Sequence, residues 1–299
     1  MEPHFRLRIV TINIWNRSGP WAERLSLLRE EIRALGPDVV GLQEVLRPVP
    51  PDESPHGAWS VPNSVADDGT ADQASLIAAG MYPHAAYASA TDFGHGLSFG
   101  NAVLSRYPIV KHRAFTLPGR ESGETRALLY ALVEHPAGKL PIFVTHLNWK
   151  LHHGNVRVRQ VRFIAQKIFE LAPIDEPSLP PVLMGDFNAE PDSDEIRFLK
   201  GLATIDGSSV YFADAWTYGG DGSAGYTFDR RNRFAAVAHE PPRRIDYVFV
   251  RGPDRALRGE PLETRVVFAT PTGGATGPTW PSDHFGLVTD LSVEGRSLE

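Results

Sequence analysis

Gly185-Asp186-Phe187-Asn188 follows directly on the apolar run Pro181-Val182-Leu183-Met184. The run reads as a short buried strand. Gly185 lets the backbone turn at its end, and an acid and an amide emerge two residues apart. Alternate residues of an extended chain share one side, so Asp186 and Asn188 are expected to point into one site, an anion beside a neutral hydrogen-bonding group. Gly-Asp and Asn are also ordinary turn formers. The weight of the tetrapeptide therefore rests on what the rest of the chain brings to it.

Working outward, strand-like segments recur at Phe5–Ile14, Asp38–Gln43, Asn101–Leu104, Leu128–Glu134, Leu140–Thr145, Pro181–Met184, Ile245–Val250, Glu263–Phe268 and Phe285–Leu291. Helical spacing marks Trp21–Leu35, which carries Leu25, Leu28, Ile32 and Leu35 and stops at Gly36-Pro37. A second helix is expected over Asn155–Leu171, with Val161, Ile164, Ile168 and Leu171 on one face and Arg157, Arg159, Arg162 and Lys167 on a solvated face. A third is expected over Asp192–Leu202, where early acids suit a helix N-terminus. Three stretches rich in Pro, Gly or Asp, Arg47–Asp72, Tyr218–Arg244 and Thr270–Ser282, read as candidate binding loops, with Pro48–Gly57 the stretch best suited to disorder. Neither internal repeats nor a long linker is visible. Many strands with interspersed helices imply one mixed α/β domain over residues 1–299, with two packed sheets and no regular βαβ winding.

Composition narrows the function classes. Among 299 residues, 42% are hydrophobic and 22% charged, which suits a globular chain with a sizeable core. The formal charge of −6 speaks against a protein that holds nucleic acid mainly by a basic face, though a local basic groove stays compatible with it. Without cysteine there is no disulfide, thiolate nucleophile or zinc–thiolate site. The start, Phe5-Arg6-Leu7-Arg8-Ile9-Val10, is too charged and short for a signal peptide, so a cytoplasmic location is expected. No stretch approaches the roughly 20 apolar residues of a membrane span.

The acids, amides and imidazoles sit where strands are expected to end. Asn13 follows Ile9-Val10-Thr11-Ile12, Glu44 follows Val39-Val40-Gly41-Leu42-Gln43, and His146 follows Ile142-Phe143-Val144-Thr145. Asp246 lies in Arg244-Ile245-Asp246-Tyr247, and Asp283-His284 precede the last strand. Taken singly, Asn13 reads equally as a turn residue, Glu44 as a surface carboxylate, His146 as a core histidine and Asp283 as a turn cap. Repeated around two sheets, the pattern builds a polar cluster at one edge. Oxygen ligands with two imidazoles and no cysteine suit a hard divalent cation such as Mg²⁺ and phosphate chemistry.

In this order the segments resemble the endonuclease/exonuclease/phosphatase superfamily of metal-dependent phosphodiesterases. The resemblance rests on Thr11–Trp15, Leu42–Val45, Gly100–Arg106, Thr145–Leu147, Gly185–Asn188, Arg244–Tyr247 and Ser282–His284, and spans nearly the whole chain. It implies a four-layer α/β sandwich with two packed mixed β-sheets flanked by helices. It further implies Mg²⁺, or Mn²⁺ in its place, bound by Glu44 with Asn13 and Asp283 near it. Asp186 would orient or deprotonate the attacking water, Asn188 would hold a phosphoryl oxygen, and His146 would stabilise charge on the phosphate. His284 would serve as base or phosphate ligand, oriented by Asp246. The implied reaction is in-line attack of water on a phosphodiester, with a phosphomonoester as the alternative.

Within the family, Trp15 and His146 depart from the AP endonuclease pattern, whereas Tyr226–Asn232 is similar to a stretch of the tyrosyl-DNA phosphodiesterases. A nucleic-acid-processing nuclease and a catalytically silent phosphate-binding module are the competing readings. Arg120, Arg126, Arg243 and Arg244 are candidate phosphate contacts. Arg230, Arg231 and Arg233 are weighed evenly between substrate contact and the background of an Arg-rich chain. Trp149 and Trp280 flank motif residues and suit either stacking on substrate or buttressing of loops. His152 and His153 are read as solvent-facing. Substrate identity, metal count and oligomeric state are not encoded in any pattern of these residues.

Overall fold

Runs rich in Val, Ile and Leu organise the molecule, whose computed structural model describes residues 6–49, 53–69, 71–93, 96–173, 178–275 and 277–295. The chain first lays down β1 (Arg6–Asn13), β2 (Val39–Pro48), β3 (Gly57–Ser60), β4 (His84–Asp92) and β5 (Leu97–Ser105). It then crosses to a second sheet of β6 (Ile109–Thr116), β7 (Ala127–His135), β8 (Gly138–His146), β9 (Val182–Asp186), β10 (Ala213–Asp214) and β11 (Asp246–Val250). Finally it returns to the first sheet through β12 (Pro261–Val267), makes the ribbon β13 (Thr272–Gly274) and β14 (Gly277–Thr279), and ends in β15 (Gly286–Ser292). The sheet orders are β12-β15-β1-β2-β5-β4-β3 and β10-β11-β9-β8-β7-β6. Each sheet is mixed: β1 pairs with β2, and β8 with β9, in parallel, while their outer neighbours are antiparallel.

The apolar runs are nearly continuous because most central strands are covered on both faces. Between the sheets, Leu7, Ile9, Val39 and Val103 meet Leu129, Ile142, Val144 and Met184. On the far side of the first sheet, Val10, Ile12, Val40 and Leu42 lie under α1 (Trp21–Leu35) and α2 (Gln73–Ala78). On the far side of the second, Phe143, Leu183 and Phe249 lie under α3 (Gly154–Leu171) and α4 (Asp194–Leu199). Helix, sheet, sheet and helix stack as the four-layer α/β sandwich that the resemblance implies. No helix among the described residues is long and apolar enough to cross a membrane.

All nine expected strands form, most with ends shifted by a residue or two, and α1 has the expected bounds. The Asp192–Leu202 helix is shorter, Asp194–Leu199. Two long strands have no apolar signature. Strand β4 is built from small residues, with Ala85, Ala86, Tyr87 and Ala88 all fully buried. Strand β6 is an edge strand with an exposed middle of Val110, Lys111, His112 and Arg113, the charged type that blunts edge pairing. The expected loops hold β3, α6 (Arg233–Ala236, after the short α5 at Ala215–Gly219) and the β13–β14 ribbon. Within Pro48–Gly57, residues 50–52 lie outside the described residues. The solvated face expected for the α3 basic residues is corrected at Arg157, which is buried against Glu195 and donates to the carbonyls of Asn148 and Lys150.

At Gly185, φ is +143° and a Cβ would stand 1.9 Å from the Thr145 carbonyl oxygen of the neighbouring strand β8. Glycine is required here both for conformation and for close approach. Gly185→Ala is expected to lower unfolding stability by about 3 kcal/mol or more, read as a lower urea midpoint with unchanged slope.

Candidate active site

Strand register brings the polar residues to one edge. His146 at the end of β8 pairs with Asp186 at the end of β9, which pairs with Asp246 at the start of antiparallel β11. In the other sheet, Asn13 ends β1 opposite Gln43, and a bulge in β2 between Leu42 and Val45 turns out Glu44. A cleft of about 600 Å³ opens between these ends, and its lining includes Asn13, Glu44, His146, Asp186, Asn188 and His284. Asp246 meets this lining through its contact with His284, and Asp283 immediately precedes His284 in the chain.

Asp186 is the centre of the arrangement. Its Oδ2 accepts from Asn13 Nδ2 at 3.0 Å and lies 3.4 Å from His146 Nε2 and 3.7 Å from His284 Nε2. Its Oδ1 accepts from the Asn188 backbone N–H at 2.9 Å. Asp186 and Asn188 thus share the site through a tight turn, with Asn188 at φ +49°, and not through strand alternation. His284 Nδ1 lies 2.9 Å from Asp246 Oδ2. Glu44 is held by Asn16 Nδ2 at 3.0 Å and Asn13 Nδ2 at 3.4 Å. Trp15, Asn16 and Glu44 also have positive φ, so uncommon backbone conformations concentrate at the cleft.

The two histidines face opposite electrostatics. Arg126 Nη1 stands 3.2 Å from His146 Nδ1, and a guanidinium only donates. Nδ1 therefore accepts, and the neutral ring carries its proton on Nε2, toward Asp186. Burial, with the charges of Arg126 and His284, holds His146 well below the ordinary histidine range. Burial would lower His284 too, but the carboxylates of Asp246 and Asp186 outweigh it and hold His284 well above that range. Burial pushes Asp186 up to about 7, with His284 opposing and Asp246 adding to the rise. Burial likewise raises Asp283 to about 6, against His284 and together with Glu44.

The donor set suits a hard divalent cation. Glu44, Asn13 and Asp283 offer oxygens, Asp246 Oδ1 is buried without a hydrogen-bond partner, and Asp186, Asp246 and His284 present ligand atoms within 4.8 Å of one another.

Several supporting residues lie outside the segments that supply the acids, amides and imidazoles. Arg24, fully buried in α1, donates to the carbonyls of Ile14, Trp15, Asn16, Ser18 and Pro281 at 2.7–3.2 Å. One guanidinium thereby holds the loop after Asn13 to the loop before Asp283. Its signal was present in the sequence: an arginine on the stripe of Trp21, Leu28 and Ile32. Thr227 Oγ1 accepts from the backbone N–H groups of Ile245 and Asp246, both at 3.1 Å, and Asn232 Nδ2 donates to Ser282 O at 2.7 Å. The Phe228 ring packs 5.1 Å from the His284 ring. The Tyr226–Asn232 stretch is thus the buttress of Asp246 and His284.

Among the described lining residues the arginines are Arg126 and Arg243. Arg231 pairs with Asp229 at 2.8 Å, and Arg244 makes a two-pronged pair with Asp214. Trp149 lines the cleft, 55% exposed, whereas Trp280 is buried edge-on to Phe234. His152 is exposed and His153 half-buried against Asn148.

The sequence profile of the Endonuclease/Exonuclease/phosphatase family matches residues 10–284. No curated protein sequence matches the chain. Among solved structures, truncated TDP2 of Caenorhabditis elegans superposes with a TM-score of 0.69 at 20% identity, covering 96% of this chain and 98% of that one. TDP2 of D. rerio, complexed with single strand DNA product, gives 0.67 at 21%, covering 96% and 99%. An endonuclease/exonuclease/phosphatase from Bacteroides vulgatus gives 0.67 at 19%, covering 97% and 99%. At these identities the likeness is one of fold.

Arg24→Met is expected to cost about 3 kcal/mol or more, because it leaves five carbonyls without their charged donor. Arg24→Lys, which keeps the charge and loses the fork, should fall between it and the parent protein in thermal unfolding.

Proposed function

Because the chain belongs to the endonuclease/exonuclease/phosphatase family, we propose that it is a Mg²⁺-dependent hydrolase that cleaves a phosphodiester by in-line attack of water. The observation that carries this reading is the convergence of Asn13, Asn188, His146 and His284 on the single buried carboxylate of Asp186. Mg²⁺ or Mn²⁺ held by Glu44, Asn13 and Asp283 would supply charge neutralisation at the phosphate. Asp186, whose proton affinity is raised into the neutral range by burial, orients the attacking water and takes its proton. His146 donates its Nε2–H, and Asn188 its amide, to the phosphoryl oxygens as charge builds there. His284, kept cationic by Asp246, binds the phosphate and fixes its approach. Asn13 holds the base in line by bridging it to Glu44. Most of the rate enhancement would come from positioning and fixed electrostatics.

A nucleic-acid strand is the second reading of the substrate. The observation favouring it is a pair of exposed aromatics at the cleft, Trp149 at 55% and Phe93 at 57%, placed where unstacked bases would pack. TDP2, similar in fold, has been seen with single strand DNA product.

Hydrolysis of bis(para-nitrophenyl) phosphate is expected to stop with chelator and to return with Mg²⁺ or Mn²⁺. Glu44→Gln and His284→Ala should each lower kcat by roughly 10²–10⁴-fold while circular dichroism and the melting profile show a folded protein. Full turnover in chelator, or in either folded variant, would falsify the assignment. With a net charge of −6, duplex DNA should bind only weakly at physiological salt. Sub-micromolar, salt-sensitive duplex binding in a gel-shift titration would move the nucleic-acid reading to first place.

A further inference from the structure

The loop between Tyr218 and Arg244 contributes to the cleft wall a side chain that the hydrolytic chemistry above does not use. Arg243 is buried, 5% exposed, and lines the cleft together with Glu240, its ion-pair partner. Its backbone is fixed: Arg243 N donates to Phe228 O at 2.8 Å, and its carbonyl accepts from Thr227 N and Phe228 N at 2.9 and 3.0 Å. Its guanidinium lies over the Phe228 ring, 5.7 Å from the centroid, and that same ring packs against His284. One aromatic ring therefore separates this cation from the phosphate-binding histidine. The Nε–H of Arg243 is buried without a hydrogen-bond partner, a costly state for a charged donor unless something else satisfies it. Arg126, the other arginine among the described lining residues, also has an unpaired Nε–H, but its terminal nitrogens are engaged on two sides, with His146 Nδ1 and Glu124, whereas the side chain of Arg243 has Glu240 alone as its ion-pair partner. Glu240 is more exposed than Arg243, with its side chain at 20%, so it can swing out to solvent while the guanidinium stays in place.

We propose that Arg243 forms a second anion subsite beside the reacting phosphate, covered by Glu240 in the ligand-free protein and taken by a further phosphate group of the substrate. The fork of a guanidinium matches a phosphate's oxygens in two-pronged fashion, and an anionic phosphate oxygen satisfies the Nε–H that Glu240 leaves unpaired. The substrate class is thus an ester with at least two phosphates, one cleaved and one recognised. This rests on the phosphodiesterase reading and deepens it. Nucleic-acid strands and polyphosphorylated small molecules share that chemistry.

The test uses two matched pairs of diesters with Mg²⁺. One is the 5′-(para-nitrophenyl) phosphate diester of thymidine with and without a 3′-phosphate. The other is glycerophosphoinositol with and without a phosphate on the ring. In one pair the extra phosphate should raise kcat/KM about tenfold or more, the scale of one charge-assisted contact, and that pair identifies the source. The ratio should collapse toward unity in Arg243→Gln and rise in Glu240→Gln, which removes the competing carboxylate. Glu240→Gln also decides the matter should Arg243→Gln fail to fold. A ratio near unity in the parent protein in both pairs, one that persists in Arg243→Gln, or one that falls in Glu240→Gln overturns the subsite. Absence of turnover on all four diesters and on bis(para-nitrophenyl) phosphate would instead overturn the hydrolase reading on which it rests.

Discussion

The arrangement depends on one hydrogen bond across the two sheets, from Asn13 Nδ2 at the end of β1 to Asp186 Oδ2 at the end of β9. The seam behind it is largely apolar, filled by Ile9, Val144 and Met184, and its nearby polar side chains are engaged elsewhere: Thr11 pairs with Gln43, and Asn101 donates to Ala127 O. A buried anion at the end of such a seam needs partners at once, since an unpaired charge in a low-dielectric setting is strongly disfavoured. The amide of Asn13 supplies one from the opposite sheet. Sheet packing, strand register and the polar cluster are therefore a single constraint. Any shift of one sheet against the other along the strands would separate Asn13 from Asp186.

That constraint explains why Gly41 and Gly185 stand where they do. At Gly41 a Cβ would come within 2.9 Å of Met184 Sδ in the facing sheet. At Gly185 a Cβ would meet the backbone of β8. One glycine sets how closely the sheets approach near the site, and the other sets how closely β9 lies against β8 at its tip. Arg24 then closes the structure from outside, because its five carbonyl acceptors lie on the two loops that leave the same edge.

Much of this was legible in the residues. The long apolar strands and the polar residues at their tips could be read because burial on both faces enforces a continuous pattern. Strands β4 and β6 could not, for opposite reasons: Ala85–Ala88 are buried but small, and Lys111–Arg113 are exposed at an edge. The site residues were legible as a set, and Tyr226–Asn232 stood out by resemblance, but what that stretch supports was not legible. Thr227 and Asn232 act through backbone groups distant in sequence, and such bonds leave no periodicity. Crowding made Arg230, Arg231 and Arg233 stand out as a group, and Arg126 and Arg243 were single candidates; among the described lining residues the arginines are Arg126 and Arg243, which are set by strand ends and a bridge between Phe228 and Arg243.

The two histidines show what sequence order alone leaves open. Each borders a strand at the same edge of the fold, and each approaches Asp186. Their neighbours decide their chemistry. Burial and the charge of Arg126 make His146 a neutral ring, and a donor-only guanidinium at Nδ1 puts its proton on Nε2. A carboxylate at the corresponding atom of His284 makes that ring a cation. In the proposed hydrolysis the two would divide the work: a fixed charge to hold the ground-state phosphate, and a neutral donor whose bond strengthens as charge develops. Two cations so close to each other would compete for Asp186 and weaken its hold on a proton. Burial, together with Arg126, works against this by holding His146 neutral, which is what the base role proposed for Asp186 requires.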